Sequence, residues 1–235
     1  MKSRYSMLTL AAMLICAAPG AHAATVYIDG SSNIFGAGHA APPAPSGGGA
    51  GILPTLFAFP AAPAQVLTFS SVTGAVTCCS STFNGPDGGV EASGTTDILS
   101  YGGVAGVKDD SHTMFLVGVF LGSNEPVDPA PARLDFSVGA LGEHFASLAP
   151  AIGQVFYVGD GLTGTGGGAT QQFLVPSTAT RLYLGFADAF DFGSPTGLPG
   201  FYGDNSGTIQ AILDVSGLPT PTRARSWGTL KVRYR

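Results

Sequence analysis

Long charged side chains are scarce in this sequence, and their scarcity limits the fold. Lysine and arginine together number 10, whereas there are 35 glycines and 17 prolines. Solvent-exposed helices use long charged side chains for solubility and for pairing between residues three or four positions apart. The composition, which is also rich in Thr, Val, Phe and Tyr, favours strands joined by Gly-rich turns.

Cysteine is also rare. Of the three cysteines, Cys16 lies in the N-terminal apolar segment, which leaves only Cys78 and Cys79 further along the chain. Because these two are adjacent, they cannot form a long-range disulfide framework, and the sequence has no CxxC zinc pair. In an oxidising compartment they either close a strained vicinal disulfide or stay as thiols, and the sequence leaves both open.

Basic residues are nearly missing from the body of the chain. Between residues 24 and 218, Lys108, Arg133 and Arg181 stand against all 15 carboxylates, and a cluster of basic residues follows Thr222. An acidic body repels nucleic acid and attracts cations, including divalent metals. We therefore expect no nucleic-acid partner, although an acidic surface is also an ordinary solubilising surface.

The N-terminus has the pattern of an export signal. A basic start over residues 1–4 precedes an apolar run from Met7 to Ala18 and then Ala21-His22-Ala23, a small-x-small cleavage pattern. The apolar run is shorter than the roughly 20 residues that span a bilayer. Residues 1–23 are therefore predicted to be a cleaved signal peptide, with a buried N-terminal helix as the alternative. The mature protein is expected to be secreted or extracellular, with the periplasm or the cell surface also open.

The remaining chain is predicted to form one all-β domain over residues 24–218, followed by a basic disordered tail over 219–235. About 210 residues suit a single β-sandwich. Turn residues separate the apolar runs, which favours an antiparallel β-sandwich or jelly roll. A Gly/Pro-rich loop is predicted over 37–51, as an ordered surface loop or an N-terminal extension, and one helical turn over 143–148. Strands are predicted at 25–28, 65–71 (with 76–79 as a continuation), 113–121, 154–158, 171–175, 181–187 and 208–215.

The catalytic motifs in this sequence are incomplete, and we predict a non-enzymatic protein. The segment Gly203–Gly207 resembles the loop that carries the nucleophile of serine proteases. It differs from that loop by one extra residue between Asp204 and Ser206. Gly159–Gly168 lacks the Lys-Ser/Thr of a phosphate loop. A short polar cluster contains Asp109, Asp110 and His112. These side chains could bind a metal ion, or act as catalytic groups of a hydrolase if a nucleophile lay beside them.

One polar cluster is more specific. Asp188 ends a predicted strand, and Asp204 and Asn205 stand just before the next one. This order places two carboxylates and an amide oxygen at the mouth of one hairpin. Such oxygens are the ligands that Ca²⁺ takes at about 2.3–2.6 Å. The alternative is an ordinary Asp/Asn/Gly turn tightened by side-chain hydrogen bonds.

The chain contains the stretches IFGAGHAAPPAP, TMFLVGVFL, GQVFYVGDGLTGTG, VPSTATRLYLGFAD and PGFYGDNSG. Together they resemble a family of exported bacterial proteins that usually end in a PEP-CTERM sorting signal and are associated with exopolysaccharide production. The resemblance runs from about Thr25 to Val215 and implies export and a polysaccharide or other glycan partner. The tail departs from the family because it has no apolar segment of membrane length after residues 218–221, so we expect no stable membrane insertion.

The second half also resembles, more distantly, the small calcium-dependent galactophilic bacterial lectins, which are jelly-roll sandwiches. The ranges 184–188 and 202–207 match their motif, with Asp204 in place of an Asn. The resemblance implies that sugar hydroxyls complete the calcium shell and that the carbohydrate site shares Asp188, Asp204 and Asn205. The implied calcium ligands are the side chains of Asp188, Asp204 and Asn205, with the backbone carbonyls of Phe201 and, approximately, Cys78.

Two departures from the lectins concern the sugar-facing rim. The loop over 189–200 is longer than in the lectins, which leaves the place of Asp191 open, and the sugar-contacting His and Gln have no counterpart within 80–111. The sequence therefore predicts an exported, non-enzymatic sandwich that binds calcium, with carbohydrate recognition as the further expectation. The alternative is a structural or extracellular-matrix protein with no metal or sugar site.

Overall fold

Strands joined by Gly-rich loops make up the fold, as the composition predicts. The structure, a computed structural model, describes residues 22–79, 82–91, 94–190 and 197–217. These residues form an all-β sandwich, and none of them belongs to a helix long and apolar enough to cross a membrane. The strands are β1 (His22–Asp29), β2 (Thr55–Ala58), β3 (Gln65–Thr77), β4 (Thr96–Ile98), β5 (Val107–Asp109), β6 (Val117–Leu121), β7 (Leu134–Asp135), β8 (Ser147–Leu148), β9 (Val155–Tyr157), β10 (Leu162–Gly164), β11 (Gly167–Thr170), β12 (Gln172–Leu174), β13 (Arg181–Gly185) and β14 (Ser206–Gly217).

Two principal sheets form the sandwich. The larger has the strand order β1-β14-β3-β12-β8, and the smaller has the order β2-β13-β6-β9. A three-stranded sheet, β4-β5-β7, and the hairpin β10-β11 lie beside them. Most neighbours are antiparallel, whereas β8 with β12 and β5 with β7 are parallel.

The pairing of β3 with β14 is the longest in the structure as described. It runs from Gln65 opposite Gly217 to Thr77 opposite Ser206, with one register shift near Ile212. The predicted strand over 65–71 is therefore part of a longer strand that continues through Gly74. That glycine has a φ of 117°, and a Cβ added there would lie 2.2 Å from the Thr208 carbonyl oxygen. Only glycine fits both constraints.

Alternating side chains of β14 fill the core, as the pattern of this segment predicts. Ile209, Ala211, Leu213 and Val215 are all fully buried. The two principal sheets meet through aromatic rings, since the Phe173 ring of β12 lies 5.0 Å from the Phe156 ring of β9. Burial of these apolar faces supplies the main stabilisation of the sandwich.

The apolar run over 113–121 is buried throughout, but only Val117–Leu121 forms a strand. Met114 has a φ of 53°, which breaks the extended backbone before the strand begins. The preceding residues instead make single backbone contacts, such as that of the Leu116 N–H with the Pro86 carbonyl. Continuous hydrophobicity indicates burial here, and the prediction of one unbroken strand was wrong.

The predicted helical turn over 143–148 is also absent. The Gln171 side chain takes the Glu143 and Phe145 carbonyls as acceptors, so these carbonyls are occupied from outside the segment. Residues 147–148 then form β8 beside β12. The short strands β2, β4, β5, β7, β10 and β11 were also missed, because they lie in segments whose Gly, Pro and Ser content indicates loops.

The Gly/Pro-rich segment over 37–51 is an ordered surface loop. It follows a 3-10 helix at Ile34–Gly36, whose cap residue Asn33 is fully buried. The Asn33 side-chain amide donates to the carbonyls of Pro43 at 2.7 Å and Ala50 at 3.0 Å, which holds both arms of the loop.

The predicted ends of the signal peptide and of the β-domain lie close to the first and last described residues. Strand β1 begins at His22, so cleavage after residue 23 would leave a first strand that starts at Ala24, opposite Leu213. Residues 1–21 and the predicted tail over 219–235 lie outside the described residues.

We expect Phe173→Ala to lower the free energy of unfolding by about 3–5 kcal/mol, the range for a buried Phe truncated to Ala. Phe173 is fully buried, and its ring lies within 6 Å of the rings of Phe69, Phe145 and Phe156. The control is Leu174→Ala on the same strand, where the side chain is 36% exposed and the loss should be about 1 kcal/mol or less. Urea denaturation measures both, and equal losses would contradict the assigned inner and outer faces.

Candidate functional site

The predicted calcium ligands come from three chain segments that the two sheets bring together. Asp188 follows β13, and Asn205 directly precedes β14. Because Ser206 pairs with Thr77, the start of β14 lies beside the end of β3, and Cys78 follows there. Cys78 is also close enough to Asp188 for the two groups to interact electrostatically. The fold thus brings Asp188, Asn205 and Cys78 to one region. The predicted hairpin is wrong, because β13 lies in the smaller sheet and β14 in the larger, and the ligand set itself stays a prediction.

Asp188 is a buried carboxylate with one oxygen left open. Asp188 is only 2% exposed, and its Oδ1 accepts the Ala189 N–H at 2.7 Å. Oδ2 is buried and has no hydrogen-bond partner. Burial raises the pKa of Asp188 well above its usual value, against the opposing contacts with Asn205 and Ala189. A cation beside Oδ2 would compensate this buried charge.

Asn205 carries a second open oxygen beside Asp188. Its side-chain amide donates to the Gly30 carbonyl at 3.2 Å, which orients the group, while Oδ1 is buried without a partner. The neighbouring Asp204 is exposed, and its negative charge raises the pKa of Asp188 further. Asp188 and Asn205 thus each leave one buried oxygen without a hydrogen-bond partner, which is free for a ligand or a water molecule.

Tyr202 positions Asp188, a role that the sequence motif alone did not reveal. Tyr202 is fully buried, and its hydroxyl oxygen accepts the Asp188 N–H at 3.0 Å. The same hydroxyl donates to the Phe186 carbonyl at 3.0 Å. One side chain therefore holds the backbone on both sides of residue 187, where the chain leaves β13.

The Gly-rich loop forms the other side of the site. The carbonyls of residues 47–49 accept the backbone N–H groups of residues 201–203 at 2.9 to 3.1 Å. Phe201 has a φ of 66°, an unusual value for a residue with a side chain. A Cβ on Gly48 would lie 2.3 Å from the Phe201 ring, so glycine is needed for this close approach. The loop thus sets the backbone of Phe201, the residue predicted to offer its carbonyl.

An aromatic pair lies next to the candidate ligands. Phe190, two residues after Asp188, is 77% exposed, and its ring centroid lies 4.9 Å from that of Phe201. A ring this exposed contributes little to the core, which makes it available to a ligand. Residues 191–196, which include Asp191, lie outside the described residues.

Cys78 and Cys79 are thiols in this structure, with their Sγ atoms 2.9 Å apart. Cys78 is buried and Cys79 is exposed. Burial and then contact with Cys79 raise the pKa of the Cys78 thiol, and the charges of Asp188 and Glu91 add to this effect. The vicinal disulfide stays a prediction for oxidising conditions.

A second polar cluster could also hold a metal ion, and its membership differs from the one predicted. Asp109, His112 and Glu143 each offer one ligand atom, and these atoms lie within 4.8 Å of one another. Asp110 does not join them, because it is exposed and accepts the Val138 N–H at 2.9 Å. Glu143 was missed because it lies 31 positions after His112 along the chain, where local spacing gives no signal.

The charges of this second cluster are coupled. His112 Nδ1 is hydrogen-bonded to Glu143, and this contact is the main reason that the pKa of His112 is raised. The pKa of Glu143 is raised as well, first by burial, with the nearby Asp109 adding to the effect. Both shifts favour the protonated forms of His112 and Glu143.

Comparison with protein-family models, curated proteins and solved structures gives no match for this chain. No relative assigns a function to either cluster. The resemblances to PEP-CTERM proteins and to galactophilic lectins stay predictions, and the functional argument depends on the chain's own residues.

We expect Asp188→Asn to stabilise the protein in the presence of chelator at neutral pH, because it removes the charge whose burial raises the pKa of Asp188. The Asn side chain keeps the oxygen that accepts the Ala189 N–H and removes the buried charge. Because the folded pKa of Asp188 lies above its unfolded value, the wild type loses stability as the pH rises from about 4 through the folded pKa.

Thermal unfolding at several pH values, with chelator present, measures this difference. The variant should gain on the wild type as the pH rises. A variant that is less stable than the wild type at every pH would contradict the assignment of Asp188 as an uncompensated buried charge.

Proposed function

We propose that this chain is an exported, non-enzymatic β-sandwich protein that binds calcium at Asp188, Asp204 and Asn205 and recognises carbohydrate beside the ion. The observation that carries the proposal is the pair of open buried oxygens, Asp188 Oδ2 and Asn205 Oδ1. Neither oxygen has a donor within hydrogen-bonding geometry, the Asn205 side chain lies close enough to Asp188 to lower its pKa, and both side chains are held by their other polar atoms. An oxygen-binding cation is the ligand that such a pair fits.

Calcium suits this donor set better than a softer metal. The proposed side-chain donors are two carboxylates and one amide oxygen, and Ca²⁺ takes 6–8 oxygen ligands in flexible geometry. Asp188 and Asp204 together balance the charge of the ion. The carbonyls of Phe201 and Cys78 are proposed as further ligands on the lectin resemblance, and both residues border the cluster.

Carbohydrate recognition is supported by the exposure of one side of the cluster. Asp204 is exposed while Asp188 is buried, so an ion between them would keep coordination positions on the solvent side. Sugar hydroxyls are oxygen ligands that could fill those positions. The exposed Phe190 ring offers an apolar surface for the C–H face of a sugar.

We expect Ca²⁺ at 100 times its dissociation constant to stabilise the chelator-treated protein by about 2.7 kcal/mol. For a domain of this size, this corresponds to a Tm rise of roughly 5–10 °C. Asp204→Ala should abolish most of the rise, because it removes one of the two charges that balance the ion.

Asp110→Ala is the matched control, since it removes an exposed carboxylate outside both clusters and should keep the calcium response. Differential scanning calorimetry measures all three proteins. A wild-type Tm that does not respond to Ca²⁺ would favour the structural-protein alternative. An unchanged Tm response in Asp204→Ala would contradict the assignment of the calcium site to Asp204.

We expect glycan binding to depend on calcium and on Phe190. On a glycan array, the wild type should bind in excess Ca²⁺ and lose its signal with chelator. Phe190→Ala should weaken binding by about tenfold, near the value of an aromatic contact of 1–1.5 kcal/mol. Tyr27→Ala is the control because Tyr27 is a 64% exposed aromatic on β1, where it pairs with Gln210 and is not a proposed ligand. Binding that persists in chelator would contradict recognition through the ion.

A further inference from the structure

Asp109 presents an open carboxylate oxygen inside the second cluster. The residue is 1% exposed, and its Oδ1 accepts the N–H groups of Ser111 at 2.7 Å and His112 at 2.9 Å, as well as the Ser111 hydroxyl. Oδ2 is buried and has no hydrogen-bond partner. The turn over 109–112 thus fixes the carboxylate by one oxygen and leaves the other for a ligand.

Glu143 and His112 complete the cluster from two different loops. The Glu143 side chain is 10% exposed and that of His112 is 29% exposed. Gln171, which is fully buried, donates from its side chain to the carbonyls of Glu143 at 2.7 Å and Phe145 at 3.0 Å. The loop that carries Glu143 is therefore held in place independently of the His112 contact.

We propose that Asp109, His112 and Glu143 bind a divalent first-row transition-metal ion of the Zn²⁺ type, at a site separate from the calcium cluster. Their ligand atoms lie within 4.8 Å of one another, which is the separation that ligands of one ion can have. An imidazole nitrogen with two carboxylate oxygens is a donor set that suits Zn²⁺, whereas Ca²⁺ prefers oxygen alone.

The site has an open side. His112 and Glu143 border a cavity of about 510 Å³, which the loop over 138–145 also lines. Three protein ligands and access to solvent leave a position for water or for an external ligand, as in zinc sites that are not purely structural.

The test is a titration of the chelator-treated full chain with Zn²⁺ in excess Ca²⁺, followed by calorimetry, and a parallel titration with Co²⁺ followed by visible absorption. We expect one Zn²⁺ per chain at this site and a Co²⁺ spectrum with nitrogen and oxygen ligation. His112→Gln and Asp109→Asn should each weaken Zn²⁺ binding by at least about tenfold, as changes around a bound metal ordinarily do.

The matched controls lie next to the proposed ligands. His144→Gln and Asp110→Asn change an exposed histidine and an exposed carboxylate of the same two loops, and both should bind Zn²⁺ as the wild type does. Asp204→Ala should also keep Zn²⁺ binding, which separates this site from the calcium proposal. Glu143→Gln carries the test if a variant at residue 109 or 112 does not fold.

Two results would overturn the proposal. One is wild-type Zn²⁺ affinity in a folded His112→Gln or Glu143→Gln variant. The other is a loss in His144→Gln as large as that in His112→Gln, because binding would then come from surface histidines.

Discussion

The full-length pairing of β3 with β14 is the constraint on which the rest of the structure depends. It joins Gln65–Thr77 to Ser206–Gly217 in the middle of the larger sheet, and alternate side chains of β14 are buried in the core. The same register fixes where both strands stop. Cys78 and Asn205 are therefore neighbours because the sheet requires it, whereas Asp188 reaches them from the end of β13 in the smaller sheet.

The second requirement is a backbone shape that strands alone do not provide. The Gly-rich loop over 47–49 pairs with residues 201–203, and the Tyr202 hydroxyl joins two backbone groups near the end of β13. Glycine is essential at Gly48, where a side chain would collide with Phe201. The composition that excludes surface helices thus also supplies the close backbone contacts that shape the site, and the cluster leaves two buried oxygens without protein donors.

Sequence patterns predicted the fold class because it depends on local signals, and strict alternation predicts β14. Asp188 and Asn205 stand at strand ends as predicted, but no hairpin joins them, because β13 and β14 lie in different sheets and only the packing of the sandwich brings these ends to one region. Patterns were insufficient where a single backbone torsion or a long-range contact decides the outcome. Met114 interrupts an apolar run through one positive φ, Gln171 occupies the carbonyls of a segment predicted to be a helical turn, and Glu143 reaches His112 from a distant loop. None of these features is indicated by the residue pattern around it in the sequence.

The central claim is that the open oxygens of Asp188 and Asn205 are ligands of one calcium ion. A crystal structure of the protein grown with Ca²⁺ tests it most directly. The account predicts one strong density peak at about 2.3–2.6 Å from both Asp188 Oδ2 and Asn205 Oδ1, with further oxygens around it. A structure in which those two oxygens accept hydrogen bonds from water or protein donors, with no ion between them, would contradict it.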